Sequence, residues 1–176
     1  MKEEKLKDLP QDISQLKKLP PRNDSNCFGC SPGNDRGLKM TFYTDETAVY
    51  SKLNVPSHLC GWDTLIHGGV ITTILDEITS WASIYLLQKI ILTKSITVHF
   101  LRPLYIEQEV TAAGYVIEQT SEREAKTRGI LYNAAGELCA RAKGTIALFT
   151  PEAARRLGVM SENDLNDMAR FGRPLS

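Results

Sequence analysis

One long segment with helical periodicity, flanked on both sides by strand-like segments, most constrains the fold. Over residues 70–87 the apolar side chains recur about every 3.6 residues and occupy one arc of a helix. The opposite arc carries small hydroxyl residues around Asp76 and Glu77, where a solvent-facing helix would carry Lys, Arg and Glu. Because small side chains allow another backbone to come close, we expect this face to be covered.

Strand-like segments precede and follow this helix. Residues 38–44 and 47–55 alternate apolar and polar side chains around Asp45 and Glu46, which predicts a hairpin. Four further strands, antiparallel through two tight hairpins, are predicted at residues 90–101, 109–118, 125–132 and 138–149. Two strands, one long helix and four strands predict an α+β domain whose helix packs on one curved sheet.

Length and charge narrow the class of protein. The 176 residues, 42% of them hydrophobic, suffice for one domain with a core and leave little room for a second. Lys and Arg together number 21, as do Asp and Glu, so no net charge favours a nucleic-acid partner. We expect an N-terminal arm at residues 1–25 with a short polar helix, one domain at 26–150, and a tail at 151–176 with a polar helix ending near Phe171.

Neither an export signal nor a membrane span is expected. The first 24 residues are charged and punctuated by proline, without the apolar stretch of a signal peptide. No run approaches the ~18–20 apolar residues of a membrane-spanning helix. The sequence therefore predicts a cytoplasmic protein that does not act on a membrane.

Four cysteines in such a chain predict reduced thiols or a metal site rather than disulfides. Cys27 and Cys30 lie in a turn-rich loop, and with His58 and Cys60 they supply the ligand types of a tetrahedral zinc site. The one-residue gap between His58 and Cys60 is unusually tight for such a site. We therefore expect buried thiols that support the loop, with no metal and no cofactor.

The start of the helix is suited to holding a carbonyl oxygen. His67, Gly68 and Gly69 precede the apolar run, and a helix that opens on glycine presents bare N–H groups at the positive end of its dipole. Asp76 lies about 12 Å from Gly68 along a helix axis, so one carbonyl cannot touch both groups in one chain. A common site would need two chains in a two-fold dimer. The alternatives are plain: adjacent acids often form a solvated face, and two glycines often form only a turn.

These residues resemble a known family. The segments 65–70 (LIHGGV) and 93–103 (TKSITVHFLRP), with the two acids between them, look like the hotdog-fold acyl-CoA thioesterases of the phenylacetic-acid-degradation type (PaaI), in the 4-hydroxybenzoyl-CoA thioesterase superfamily. The cysteine segment 27–30 is similar to that of one subgroup of these enzymes. The resemblance covers residues 26–150 and implies an antiparallel curved sheet wrapped around one long central helix.

The resemblance also implies a function. Its members hydrolyse acyl-coenzyme A thioesters in a pocket at a homodimer interface, and the dimers often pair into homotetramers. Asp76 would then act as general base on water or as nucleophile, and Thr93 would orient the water. The Gly68 N–H of the other chain would polarise the thioester carbonyl. Glu77 is the alternative carboxylate, because related branches of the fold use glutamate.

Other residues near the motif are predicted to support the site. His67 is expected to fix the loop through its ring, with a role as weak electrophile as the alternative. Some relatives carry a residue with a side-chain amide at the position of Gly61. Because glycine has no such amide, backbone N–H groups would have to stabilise the oxyanion in this chain. The substrate-binding candidates are Gly61, Trp62, Gly69, Lys94 and Arg102, the last two as partners of the coenzyme A phosphates.

Two other functions are considered. A non-catalytic protein that binds or senses acyl thioesters would keep the pocket and hydrolyse poorly, which Gly61 permits. A hotdog hydratase is disfavoured, because its closely spaced Asp and His pair is not evident in the sequence.

Overall fold

A long helix and a seven-stranded sheet form the core of the structure, a computed structural model that describes residues 9–10, 12–22, 26–158, 160, 162 and 165. The elements before the long helix are strands β1 (Lys17–Lys18), β2 (Tyr43–Thr44) and β3 (Val49–Asn54), with 3-10 turns at Ile13–Gln15 and Ser57–Leu59. The remaining elements are helix α1 (Gly68–Leu87), strands β4 (Ile90–Phe100), β5 (Glu109–Ser121), β6 (Glu124–Tyr132) and β7 (Leu138–Phe149), and helix α2 (Pro151–Leu157).

All neighbouring strands are antiparallel, and they form one sheet in the order β1-β2-β3-β5-β6-β7-β4. Hairpins join β5 to β6 and β6 to β7, as the sequence predicts. Among the described strands β4 pairs only with β7. This eleven-residue strand therefore ends the sheet with an open edge.

Helix α1 packs across the inner face of the sheet. Trp81 stacks on Phe42 with ring centroids 4.3 Å apart. Thr79 and Ser83, on the hydroxyl-rich arc, are also buried, and each donates to an α1 carbonyl four residues earlier. This arc is therefore partly covered within the chain. The buried apolar side chains predicted from the helical period are Ile71, Ile74, Leu75, Ile78, Trp81, Ala82 and Tyr85, whereas Leu86 is half-buried.

Two glycines let α1 approach the sheet closely. Gly114 of β5 and Gly129 of β6 lie directly opposite each other in the strand register. A Cβ at Gly114 would be 2.2 Å from the Ile78 carbonyl oxygen, and one at Gly129 would be 3.0 Å from Leu75 Cδ2. The helix backbone occupies the space that a side chain at Gly114 would fill, and the side chains of Leu75 and Thr79 limit the space at Gly129.

The segment before β2 differs from the predicted hairpin strand. Leu38 and Met40 are buried, as their alternation predicts, but only Tyr43–Thr44 pair with β3. The reason is that the Leu38 and Met40 N–H groups donate to the carbonyls of Phe28 and Gly29. The loop that carries Cys27 and Cys30 (residues 26–37, the cysteine loop), rather than β3, accepts the hydrogen bonds of these N–H groups.

The described part of the N-terminal arm lies on the domain. Residues 12–22 contain a 3-10 turn and β1, and the rest of the segment for which a short polar helix is predicted lies outside the described residues. Ile13 and Leu19 are buried, and Lys17 Nζ donates to the Tyr85 hydroxyl of α1 at 2.8 Å. The arm is thereby attached both through apolar packing and through a polar contact with α1.

The C-terminal tail begins with the short helix α2. The Thr150 side chain caps it by accepting from the Ala153 N–H, and Gly158 ends it with a φ of 63°. The remainder of the predicted polar helix, toward Phe171, lies outside the described residues except at isolated positions.

Helix α1 is long and apolar enough, by length and composition alone, to cross a membrane. The expectation that the sequence holds no such run was therefore wrong. In the structure 61% of the apolar 18-residue stretch of α1 is buried inside the protein, where the helix packs on strands β3 to β7. The core helix of a globular domain has the same length and composition.

Candidate active site

The start of α1 leaves one backbone N–H group available to a ligand. His67 is the N-cap residue, and its ring Nδ1 accepts from the Gly69 N–H at 2.9 Å. The His67 carbonyl accepts from the N–H groups of Val70 and Ile71. A helix start leaves four N–H groups without intrahelical partners, and among the described residues only that of Gly68 has no acceptor here. Gly68 is exposed, at the positive end of the helix dipole.

The same cap fixes the ring of His67. Because Nδ1 accepts from a backbone donor, the neutral ring carries its proton on Nε2. The backbone N–H of His67 donates to the Leu59 carbonyl at 3.2 Å. The exposed ring therefore holds the helix start and keeps one N–H donor for a ligand.

Asp76 lies two turns into α1 and is hydrogen-bonded to β4. Thr93 Oγ1 donates to Asp76 Oδ1 at 2.8 Å. The pairing of β4 with β7 shifts register between Thr93 and Ser95, so a bulge at Lys94 adjoins this contact; bulges re-aim side chains next to active sites. The bond orients the carboxylate, and Oδ2 receives no hydrogen bond from the described residues. The fold thus brings together Asp76 and Thr93, two of the predicted site residues.

Gly68 and Asp76 do not meet within one chain. Because α1 is continuous, the two residues are about 12 Å apart along its axis. Gly68 lies instead beside Phe100 at the end of β4, where a Cβ on Gly68 would be 3.7 Å from the ring. Thr93, near the other end of β4, contacts Asp76. Within the chain, Gly68 and Asp76 therefore lie near opposite ends of β4.

Glu77 contacts the cysteine loop and not β4. Cys27 Sγ donates to Glu77 Oε1 at 3.4 Å. Gly29 is so close that a Cβ there would be 2.3 Å from Glu77 Cγ. Burial, with contributions from Cys27 and Asp76, raises the pKa of Glu77 to about 7. The two adjacent acids of α1 thus take part in different groups of side chains.

Cys27, Cys30 and Glu77 form a cluster whose sulfur and carboxylate oxygen atoms all lie within 4.8 Å of one another. Hydrogen bonds from the Cys30 thiol and from the N–H groups of Cys30 and Gly29 lower the pKa of the Cys27 thiol. Donation to Cys27 and burial raise the pKa of the Cys30 thiol. Sequence spacing missed Glu77 as the third member, because only the fold brings residue 77 to the loop.

His58 and Cys60, considered with the two loop cysteines as zinc ligands, lie outside this cluster. Both side chains are exposed. The four-residue zinc site considered from the sequence is therefore not formed in this arrangement. One signal for Glu77 was present in the sequence, because it is an acid next to Asp76 on a helix face that carries few other charges.

Gly61 and Trp62 lie in the loop before α1. Gly61 packs against His67, since a Cβ at Gly61 would be 3.1 Å from the His67 Cα. The Trp62 side chain is 83% exposed. The loop therefore presents a large apolar surface to the outside while its glycine supports the helix cap.

The two basic candidates have partners within the chain. Lys94 forms an ion pair with Glu124. Arg102 Nη1 donates to the Leu138 carbonyl at 2.7 Å. A groove of about 320 Å³ lies elsewhere on strands β4 to β7, and its lining includes none of the predicted site residues.

The fold is similar to that of known proteins, and part of the sequence matches a family model. Residues 64–140 match the sequence model of the thioesterase superfamily. The structure is similar to that of the E. coli PaaI protein from the phenylacetic acid degradation operon, with a TM-score of 0.59, 18% identity, and coverage of 64% of this chain and 81% of that chain. It is also similar to zebrafish thioesterase superfamily member 2, with a TM-score of 0.60, 23% identity, and coverage of 68% and 88%. No curated protein sequence matched the chain.

A hypothetical thioesterase from Streptococcus pneumoniae TIGR4, solved with coenzyme A, is similar as well. Its TM-score is 0.55 and its identity 17%, over 59% of this chain and 80% of that chain. Variants of that protein in which a threonine or an aspartate is replaced by alanine have also been solved. The chain has the hotdog fold, an α+β curved sheet around one long helix, as predicted, and the resemblance to hotdog-fold thioesterases is confirmed.

Proposed function

We propose that this protein hydrolyses acyl-coenzyme A thioesters to the free acid and coenzyme A at sites shared between two subunits. The hydrogen bond from Thr93 to Asp76 carries the proposal, because it orients a carboxylate inside the segment that matches the thioesterase superfamily. Thioester hydrolysis needs a base for the attacking water and a donor for the developing oxyanion. Asp76 supplies the base, and the Gly68 N–H of the partner subunit supplies the donor.

Asp76 acts through the oxygen that Thr93 does not bind. Thr93 Oγ1 holds Oδ1, so Oδ2 accepts a proton from a water molecule as the water oxygen attacks the thioester carbonyl carbon. The carbon–sulfur bond then breaks, and the coenzyme A sulfur leaves with the proton. Direct attack by the carboxylate, followed by hydrolysis of the anhydride, would use the same oxygen atom.

The helix start of the other subunit stabilises the transition state. Negative charge develops on the carbonyl oxygen, and the unpaired Gly68 N–H lies at the positive end of a helix dipole. The Nε2–H of His67 is a second donor at the same helix start. The Gly69 N–H is occupied by the His67 ring, so we assign Gly69 a positioning role rather than a direct contact with the oxyanion.

The open edge of β4 supports assembly into a homodimer. From residue 92 to its end the side chains of β4 are exposed or half-buried, and a long unpaired edge favours pairing with a second chain. The facing arc of α1 suits close contact. Thr72 and Thr73 donate to the carbonyls of Gly68 and Gly69, so their hydroxyls need no partner from another chain.

The register of such a pairing would unite the half-sites. Two β4 strands paired antiparallel about the midpoint between Ile96 and Thr97 would set Thr93 opposite Phe100 of the partner subunit. Because Thr93 contacts Asp76 and Phe100 adjoins Gly68, each acid would face the helix start of the other chain. A two-fold dimer would then contain two equivalent sites, and two dimers could associate into a homotetramer.

Coenzyme A is the carrier that the comparisons favour, since the pneumococcal relative was solved with it. We assign its phosphates to Arg102 and Lys94. Arg102 uses Nη1 for the Leu138 carbonyl, which leaves other guanidinium donors, and Lys94 would exchange Glu124 for phosphate. The exposed Trp62 is our candidate for one wall of the acyl pocket.

Free thiol release from a panel of acyl-CoAs, differing in chain length and aromatic character, tests the proposal. Wild-type protein should turn over at least one substrate, and Asp76→Asn should lower kcat by ~10²–10⁴-fold because the general base is lost. Asp35→Asn is the matched control, since this exposed aspartate pairs with Lys39 in the loop before β2. Its activity should equal that of wild type.

Two results would contradict the proposal in different ways. Wild-type protein that binds acyl-CoA without releasing thiol from any substrate would support the non-catalytic acyl-thioester module instead. Undiminished turnover by Asp76→Asn would retain the enzyme but remove Asp76 as its base.

A further inference from the structure

We propose that Cys27, Cys30 and Glu77 bind one zinc-class divalent metal ion, which fastens the cysteine loop to helix α1. The two sulfur atoms and a carboxylate oxygen already lie within 4.8 Å of one another. Cys27 Sγ and Glu77 Oε1 are 3.4 Å apart. The site involves none of the residues that the proposed hydrolysis uses. Metal binding can therefore be tested independently of that activity.

The spacing fits tetrahedral coordination. Zinc binds thiolate sulfur at about 2.3 Å and carboxylate oxygen at about 2.0–2.2 Å, which places neighbouring ligand atoms roughly 3.5–3.8 Å apart in a tetrahedron. The cluster would need to contract by at most about 1 Å, a change within reach of side-chain rotation. Three protein ligands leave a fourth position for water.

The loop backbone is arranged as a turn. The Ser31 N–H donates to the Cys27 carbonyl at 3.2 Å, and the N–H groups of Leu38 and Met40 donate to the carbonyls of Phe28 and Gly29. These bonds fix the backbone between the two cysteines, whose thiolates are the form that binds metal. The turn therefore holds the first two ligands in place before any ion arrives.

Glycine at position 29 admits the third ligand. A Cβ there would lie 2.3 Å from Glu77 Cγ and 2.7 Å from Oε1, so any larger residue would displace the carboxylate. Among the described residues Glu77 forms no ion pair with Lys or Arg. A cation at the cluster would supply the missing positive charge.

The ligand types select the class of metal. Thiolates favour zinc and related soft or borderline ions over magnesium and calcium, which prefer oxygen ligands. Cys60 is exposed and outside the cluster, so it provides a cysteine control in the same chain. Loss of the ion should release the cysteine loop from Glu77, the residue that follows Asp76 on α1.

Cobalt and zinc titration of the reduced full-length protein tests the site. Co²⁺ bound by two cysteine thiolates gives sulfur-to-metal charge-transfer absorption, and Zn²⁺ should displace it at one ion per chain. Cys60→Ser should behave as wild type. Cys27→Ser and Cys30→Ser should each weaken binding by more than ~100-fold, because even the loss of an outer-shell partner costs 10–100-fold.

Glu77→Gln separates the third ligand from the cysteines. This near-isosteric variant should weaken binding by at least ~10-fold while keeping the thiolate absorption. Circular dichroism of each variant establishes that it is folded, and the wild-type titration does not depend on any variant. Reduced wild-type protein that binds neither ion would overturn the proposal, as would binding that survives Cys27→Ser or Cys30→Ser, or that is lost in Cys60→Ser.

Discussion

At the scale of single residues, the proposed chemistry depends on one backbone donor. His67 engages the N–H groups of three residues at the start of α1 through its ring and its carbonyl, and only Gly68 is left. Gly68 is the first helical residue, where proline is tolerated because the missing N–H makes no helix bond. His67 has φ −59° and ψ 137°, a conformation suited to the residue before proline.

Gly68→Pro should therefore remove the oxyanion donor while keeping the helix. We expect kcat to fall by ~10²–10³-fold, the usual effect of losing one such donor. Gly68→Ala keeps the N–H group, and its Cβ would meet only the Phe100 ring at an ordinary 3.7 Å. Steady-state kinetics with circular dichroism compares the two variants, and equal losses in both would argue against the N–H group.

The Thr93 hydroxyl should matter through the orientation of Asp76. Thr93→Val removes a hydrogen bond to a charged group, which contributes about 1.5–3 kcal/mol. We expect kcat to fall by ~10–100-fold with little change in KM, whereas Thr93→Ser, which keeps the hydroxyl, should retain most of the activity. If the serine variant were as impaired as the valine variant, packing of the methyl group would be the important contact.

At the scale of elements, the position of α1 is set by the two facing glycines of β5 and β6. They remove side chains from the place where the helix backbone crosses the sheet. Since α1 carries both Gly68 and Asp76, the depth of the helix also determines where β4 meets the acid. Packing and the site are thus coupled through one contact between helix and sheet.

Gly114→Ala should destabilise the protein, because the new Cβ would lie 2.2 Å from the Ile78 carbonyl oxygen. Overpacking of this kind costs ~1–3 kcal/mol in the free energy of unfolding. Gly33→Ala is the control, since its Cβ would meet only Ser31 Oγ at 3.7 Å. Urea denaturation should separate the two variants, and equal midpoints would mean that the helix moves without cost.

The turn between β2 and β3 should contribute to the stability of the protein in a pH-dependent way. Burial would raise the pKa of Asp45, but hydrogen bonds from Thr47, Ala48 and Tyr50 outweigh it and hold the pKa below 3.8. A lowered pKa in the folded state stabilises the protein above pH 3.8, and this contribution is lost as the pH falls through the folded pKa. Urea midpoints of wild type and Asp45→Asn should differ at pH 7, and the difference should shrink as the pH falls below 3.8. A constant difference would show that ionisation of Asp45 is not involved.

Strong periodicity made the elements from α1 to β7 predictable from the sequence. Each observed bound lies within three residues of the predicted one. The reason is that alternation and helical period both reflect one buried face. Residues 38–42 were predicted as strand for the same reason, but the N–H groups of Leu38 and Met40 donate to carbonyls of the cysteine loop. A contact between a strand-like segment and a separate loop leaves no periodic signal in the sequence.

At the scale of the whole molecule, Gly68 and Asp76 of one chain lie too far apart to act on one carbonyl, so the proposed site needs two chains. The separation of Gly68 and Asp76 was predictable from helical rise alone, and the continuous helix maintains it. The hydrogen bond from Thr93 to Asp76 was not predictable, because it depends on how β4 crosses α1. The contact of Glu77 with the cysteine loop also depends on tertiary packing.

Mixed dimers test the shared site most directly. Asp76→Ala and Gly68→Pro subunits, each nearly inactive alone, would be assembled with two different affinity tags and the heterodimer isolated. If the site combines Asp76 of one chain with Gly68 of the other, one site of the heterodimer carries both defects and the second carries neither. The heterodimer should recover about half the wild-type thiol release per dimer, because one of two symmetric sites is intact. Heterodimers no more active than the parent variants would contradict it, since a site built within one chain could not be restored by mixing.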